Sequence, residues 1–129
     1  MSIENQTSEQ NTRAGVTTEA AATVCPDWRQ VVAPQDAGPD VTLLHESAQL
    51  KVVLVGLAPG QALPPHPGPA ASFHILSGTG VVVVDGVEHA VAAGATVIVA
   101  PGAQRSVRAA SPLVFLGNLS DPASEDGPH

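Results

Sequence analysis

The sequence has one cysteine, Cys25, and no tyrosine. A single thiol can form neither an intrachain disulfide nor a cysteine-based zinc site. Aromatic residues are 2% of the chain: Trp28, Phe73 and Phe115. Any core must therefore be aliphatic, and valine supplies most of it. Basic residues are also few, with five Lys and Arg against twelve Asp and Glu and a formal net charge of -7. No Lys/Arg cluster exists to neutralise phosphates, which argues against a nucleic-acid partner and against an anionic membrane surface. No apolar run approaches the roughly 20 residues of a membrane span. The opening MSIENQTSEQNTRAG lacks the basic and apolar regions of a signal peptide. The expectation is a soluble cytoplasmic protein.

What is present is β-forming. Hydrophobic residues are 43% of 129 residues, enough for one core and one domain. Twelve glycines and twelve prolines punctuate the chain. Residues 1–22 carry almost no large apolar side chain and read as a disordered tail. A short strand is expected over Trp28–Val32, followed by the turn-rich APQDAGPD. Val41–Leu44, Leu50–Leu57, Ser72–Leu76, Val81–Val84, Val87–Val91, Thr96–Ala100, Gln104–Arg108 and Pro112–Leu119 read as strands. Asp85-Gly86 between two valine runs is a strong hairpin signal. Ala58–Pro69 holds five prolines and reads as irregular. Short strands at roughly ten-residue intervals with no helical period predict an all-β, antiparallel barrel or sandwich over residues 23–119. The acidic end around Asp121, Glu125 and Asp126 reads as a flexible tail over 120–129.

The segment PGQALPPHPGPAASFHILSGTGVVVVDG resembles the first signature of the cupin superfamily, G-x5-H-x-H-x3,4-E-x6-G. GATVIVAPGAQRSVRAASPLVFL resembles the second, G-x5-P-x-G-x2-H-x3-N. The likeness covers roughly Val41 to Leu119. It implies a double-stranded β-helix, or jelly-roll barrel, in which three His and one Glu bind a divalent metal. Here the skeleton of glycines and prolines is kept and the ligand set is not. His66 matches one of the paired histidines. The other falls on Gly68 in one register and on Pro64 in the other. The Glu falls on Ala71, or on Phe73 or Ser72. The third His falls on Arg105 and the closing Asn on Ala109. One imidazole cannot hold a metal that needs three or four donors, and a fixed guanidinium repels one. Of the family's ligand positions, His66 alone retains its residue, so no metal cofactor is expected. A non-standard site from His66 with His45, His74 or His89 is the alternative. If Ala71 faces the interior, strand alternation points His74 outward.

The leading functional reading is a metal-free module that binds a small apolar or carboxylate ligand. His66 and Arg105, with Gln61, Gln104 and Phe73, are the candidate binding residues. Arg105 has two readings. It is either an inward guanidinium that meets an anionic group, or a rim arginine paired with Asp85 or Glu88. Without a ligand, the expectation is that it leans outward or holds water and an anion. The rival reading is a cupin enzyme of the dioxygenase, isomerase or cyclase type, with His66 the best candidate for a catalytic acid or base. No inward carboxylate or tyrosine is at hand to partner it. A homodimer through the Trp28–Val32 strand is expected from the resemblance and from the need to cover sheet edges.

Overall fold

The computed structural model describes residues 14–120. Its strands, in chain order, are β1 (Thr17–Glu19), β2 (Ala22–Val24), β3 (Asp40–Glu46), β4 (Leu50–Leu57), β5 (Ala62–His66) and β6 (Ala71–Ser77). There follow β7 (Thr79–Val84), β8 (Val87–Ala92), β9 (Thr96–Val99), β10 (Arg105–Ala109) and β11 (Leu113–Ser120). β1 and β2 pair as a small hairpin. One sheet has the order β3-β4-β11-β6-β9, and the other β5-β10-β7-β8. All pairings are antiparallel. This is the all-β jelly-roll expected from the sequence.

Alternation sorts each strand into an inner and an outer side. Ala71, Phe73 and Ile75 of β6 are buried while His74 between them is exposed. Arg105, Val107 and Ala109 of β10 are buried in the same rhythm. The inner faces of the two sheets enclose one apolar cluster that includes Val55, Leu57, Phe73, Val82, Val107 and Phe115. Phe73 and Phe115 meet edge to face, with ring centroids 5.5 Å apart and planes at 77°. A smaller cluster of Val32, Leu54 and Val114 lies on the outer side of the five-stranded sheet, under Cys25, Trp28 and Val31.

The turns follow the sequence closely. Asp85 and Gly86 have φ of 48° and 82°, so the β7–β8 loop has both central residues in the left-handed region, as a type I′ turn requires. Val84 pairs with Val87 on either side of it.

Three expectations need correction. Residues 14–22 do not continue a featureless tail. Val16 is buried to 2% exposure, and the Thr-rich β1–β2 hairpin runs on from it. A Cβ on Gly15 would lie 2.8 Å from Val31 Cγ2, so the chain passes close against residue 31 there. One well-placed valine and a hairpin ladder outweigh the polar average of the stretch. The rest of the expected tail, residues 1–13, and residues 121–129 lie outside the described residues. Next, Trp28–Gln30 is a 3-10 turn, not a strand. The Asp27 carboxylate accepts the Arg29 N–H at 3.0 Å and caps the turn. The Arg29 guanidinium lies 4.9 Å from the centre of the Trp28 ring. No strand edge exists there to carry the expected dimer contact. Last, Ala62–His66 is a strand despite Pro64 and Pro65. It pairs on one side only, with β10. At an edge, a proline's missing N–H costs no ladder bond on the open side.

Thr42 is a local exception to polar satisfaction. It is fully buried opposite Leu54, and its Oγ1 has no hydrogen-bond partner among the described residues. A buried orphan hydroxyl costs about 1–3 kcal/mol. Thr42→Val should therefore raise the unfolding free energy by about 1 kcal/mol in urea titrations. A loss of stability would mean that the hydroxyl is bonded in solution.

Candidate functional site

One end of the barrel gathers the residues at the cupin ligand positions. Register places Lys51, Leu119, Ala71 and Val99 in one row across the five-stranded sheet. Lys51 shares the inner side with Val55 by alternation along β4. Residues 67–70 connect β5 to β6 over this end, and Ser120 N–H donates to Ala70 O at 3.0 Å. A cavity of about 270 Å³ opens here, lined by Glu46, Ser47, Leu50, Lys51, Pro69, Leu119 and Ser120. Neither Glu46 nor Lys51 forms an ion pair among the described residues.

Arg105 sits deeper. Its Cα pairs with those of His66 on β5 and Val84 on β7. It is 2% exposed. Its Nε donates to Ala103 O at 3.0 Å. Its Nη2 donates to Gly68 O at 3.2 Å and, at 3.4 Å, to Ala100 O. Its Nη1 is buried and has no partner among the described residues. The guanidinium rests on Gly68, where a Cβ would come within 3.3 Å of Nη1 and 3.5 Å of Cζ. Burial holds the Arg105 pKa below its usual value, and the Asp85 carboxylate opposes that shift. An arginine so placed still carries its charge at neutral pH.

This corrects the expected outward lean: the guanidinium is turned in and held by carbonyls. Nor is it a rim arginine in a salt bridge. The Asp85 carboxylate accepts Gln104 N–H at 2.8 Å instead. Glu88 lies 4.0 Å from Arg108.

The other candidates are placed as follows. His66 is exposed, and its Nδ1 donates to Pro64 O at 3.0 Å, which leaves Nε2 without a partner among the described residues. Gln61 closes a loop: its Oε1 accepts Ala58 N–H at 2.9 Å and its Nε2 donates to Gln35 O at 2.8 Å. Gln104 lines a separate pocket of about 130 Å³ with Pro65, Val83, Gly86, Arg105 and Ser106. By alternation, Val83 and Ser106 put that pocket on the outer side of the sheet. Phe73 is 7% exposed within the core. The structure thus brings His66 and Arg105 to paired positions, sets Gln104 beside Arg105 in the outer pocket, and leaves Gln61 and Phe73 apart. Sequence reasoning missed the carbonyls of Ala100 and Ala103 and the Glu46–Lys51 cavity. Only the alternation of Lys51 with Val53 and Val55 signals the cavity in the sequence.

The metal implied by the resemblance does not fit these residues. No three His, Cys, Asp or Glu come together among the described residues in a group able to hold an ion. Ala71 offers no carboxylate, and the charge at the third-histidine position is positive. His74, the nearest spare imidazole in sequence, is exposed on the outer side and bonds Thr96 Oγ1.

A small antiparallel barrel that keeps the motif skeleton of glycines and prolines, with Arg105 where the resemblance places the third histidine, defines a cupin-type domain. The family comparison agrees. The cupin domain family matches residues 53–117, half of the chain, and the protein belongs to that family. Among solved structures it is similar to a conserved protein of unknown function from Streptococcus pyogenes, with 24% identity and a TM-score of 0.71 over 87% of this chain and 98% of that one. It is also similar to an RmlC-like cupin from Desulfovibrio desulfuricans, at 23% identity and TM-score 0.66 over 81% of this chain and 98% of that one. A protein from Thermotoga maritima described as a predicted oxalate decarboxylase shares 20% identity and a TM-score of 0.60, over 64% of this chain and 79% of that one. These likenesses show the fold. No curated protein matches the chain. No helix among the described residues is long and apolar enough to cross a membrane.

Proposed function

We propose that this cupin-domain protein binds a small carboxylate without a metal ion, and that Arg105 Nη1 receives the carboxylate. One observation carries the reading: a buried guanidinium has an unpartnered nitrogen and no carboxylate in salt-bridge range among the described residues. A buried charge is costly unless paired, and carbonyl dipoles answer only part of that cost. An anion at Nη1 removes both deficits. The mouth cavity, with Leu50, Leu119 and Pro69 as apolar walls, suits the ligand's hydrocarbon body. Lys51 adds positive charge along the entry path. Pro69 lines the cavity and Gly68 covers the guanidinium. Entry therefore requires residues 67–70 to give way. His66 Nε2 supplies a second polar contact from the position paired with Arg105.

Calorimetric titration with 4-methylpentanoate and with its neutral amide tests this. Arg105→Ala, at a temperature where the variant is folded, should weaken carboxylate binding by about 1.5–3 kcal/mol, the scale of a charged hydrogen bond. Amide binding should hardly change. Lys51→Ala should cost less than about 1 kcal/mol, because its ammonium is exposed. Equal losses for acid and amide in Arg105→Ala would reduce Arg105 to a support of the barrel.

A further inference from the structure

We infer that the barrel mouth contains a cation site made of backbone carbonyls, and that the protein fills it with its own Arg105 guanidinium. In the register of the cupin motif that takes His66 as the first of the paired histidines, positions 68 and 105 fall where the resemblance places metal-ligating histidines. Here the chain has glycine at one and arginine at the other, and the structure puts the guanidinium directly on that glycine. Three carbonyl oxygens surround it, from Ala103 at 3.0 Å, Gly68 at 3.2 Å and Ala100 at 3.4 Å. Carbonyl dipoles aimed at one point replace part of a cation's hydration shell. The planar fork of arginine suits oxygens spread around it better than a point charge does.

The cage also ties two loops together. Gly68 O accepts Gly102 N–H at 2.8 Å as well as Arg105 Nη2, so the connection from β5 to β6 is fastened to the β9–β10 loop. A metal ion would do the same by drawing ligands from both. A side chain at position 68 would crowd the guanidinium, its Cβ 3.3 Å from Nη1. The tethered cation thus takes over a structural duty of a metal and leaves a divalent ion facing a like charge. This uses Nε and Nη2, not the Nη1 of the carboxylate reading, so either can fail without the other.

The test is thermal unfolding of the full chain with soluble methylguanidinium as the probe. Arg105→Ala should lower Tm by about 10 °C, the shift expected for losing a buried network in a domain of this size. Methylguanidinium chloride should then raise the variant's Tm with the logarithm of its concentration, as a ligand of the emptied site. It should leave the wild-type Tm unchanged, and sodium chloride at equal ionic strength should rescue nothing. If Arg105→Ala does not fold, Arg105→Lys and Gly68→Ala decide. Both should fold with a lower Tm, the first from lost carbonyl contacts and the second from crowding. Wild-type stability in these variants, or no rescue in a folded Arg105→Ala, overturns the inference. So does a rise in wild-type Tm with Zn²⁺, Mn²⁺ or Ni²⁺ that disappears in His66→Ala.

Discussion

Gly78→Ala should be among the most damaging single changes in this protein, costing more than about 4 kcal/mol of folding free energy. Gly78 joins β6 to β7 with φ of 87°. An alanine pays about 1–2 kcal/mol for that conformation alone. Here its Cβ would also fall 1.8 Å from Pro112 O and 2.9 Å from Leu113 Cα. Both are backbone atoms, one just before β11 and one at its first residue, and β11 pairs with β4 and β6 and cannot retreat from both. Gly86→Ala is the control. Its φ is 82°, but nothing lies within 4 Å of the added methyl, so only the conformational cost applies. Urea unfolding of the two variants should differ by about 2 kcal/mol or more. Equal costs would mean that the β10–β11 turn can move away.

Phe115→Ala should cost about 3–5 kcal/mol. Phe115 is 1% exposed and sits between Val55 on β4 and Ile75 on β6. It is one of two phenylalanines in the chain, and its ring packs against the other, Phe73. The valines around it are short and stiff at χ1, so they cannot reach into the space it leaves. Phe73→Leu should cost less than about 2 kcal/mol, because a large apolar side chain remains. If both variants unfold at the same urea concentration, the rings are not the centre of the core.

These two positions were unequally legible. Leu-Ser-Gly-Thr-Gly announces a reversal at Gly78, and Asp-Gly announces the β7–β8 hairpin. Such signals are local, because φ > 0 selects glycine or Asp/Asn whatever lies around it. β5 was not legible because prolines read as breaks unless the strand is known to be an edge. The β1–β2 hairpin was hidden because a composition average conceals the one buried residue, Val16. At the site, the direction of Arg105 stayed open in the sequence between an inward guanidinium and a rim arginine, and only the fold turns it in. Its partners could not be read: they are the carbonyls of Gly68, Ala100 and Ala103, and every residue has a carbonyl. The contrast between a guanidinium seeking an anion and one already caged by backbone exists only in three dimensions.

The most direct measurement is NMR of the Arg105 side chain in protein labelled at arginine, during a titration with 4-methylpentanoate. The bonds to Gly68, Ala100 and Ala103 should slow exchange at Hε and Hη2 before any ligand is added. On titration the Hη1 resonances should move with the binding isotherm, Hε should stay in place, and EDTA should change neither. Binding that leaves every Arg105 resonance unmoved, or that needs an added divalent metal, would contradict a carboxylate site at Nη1.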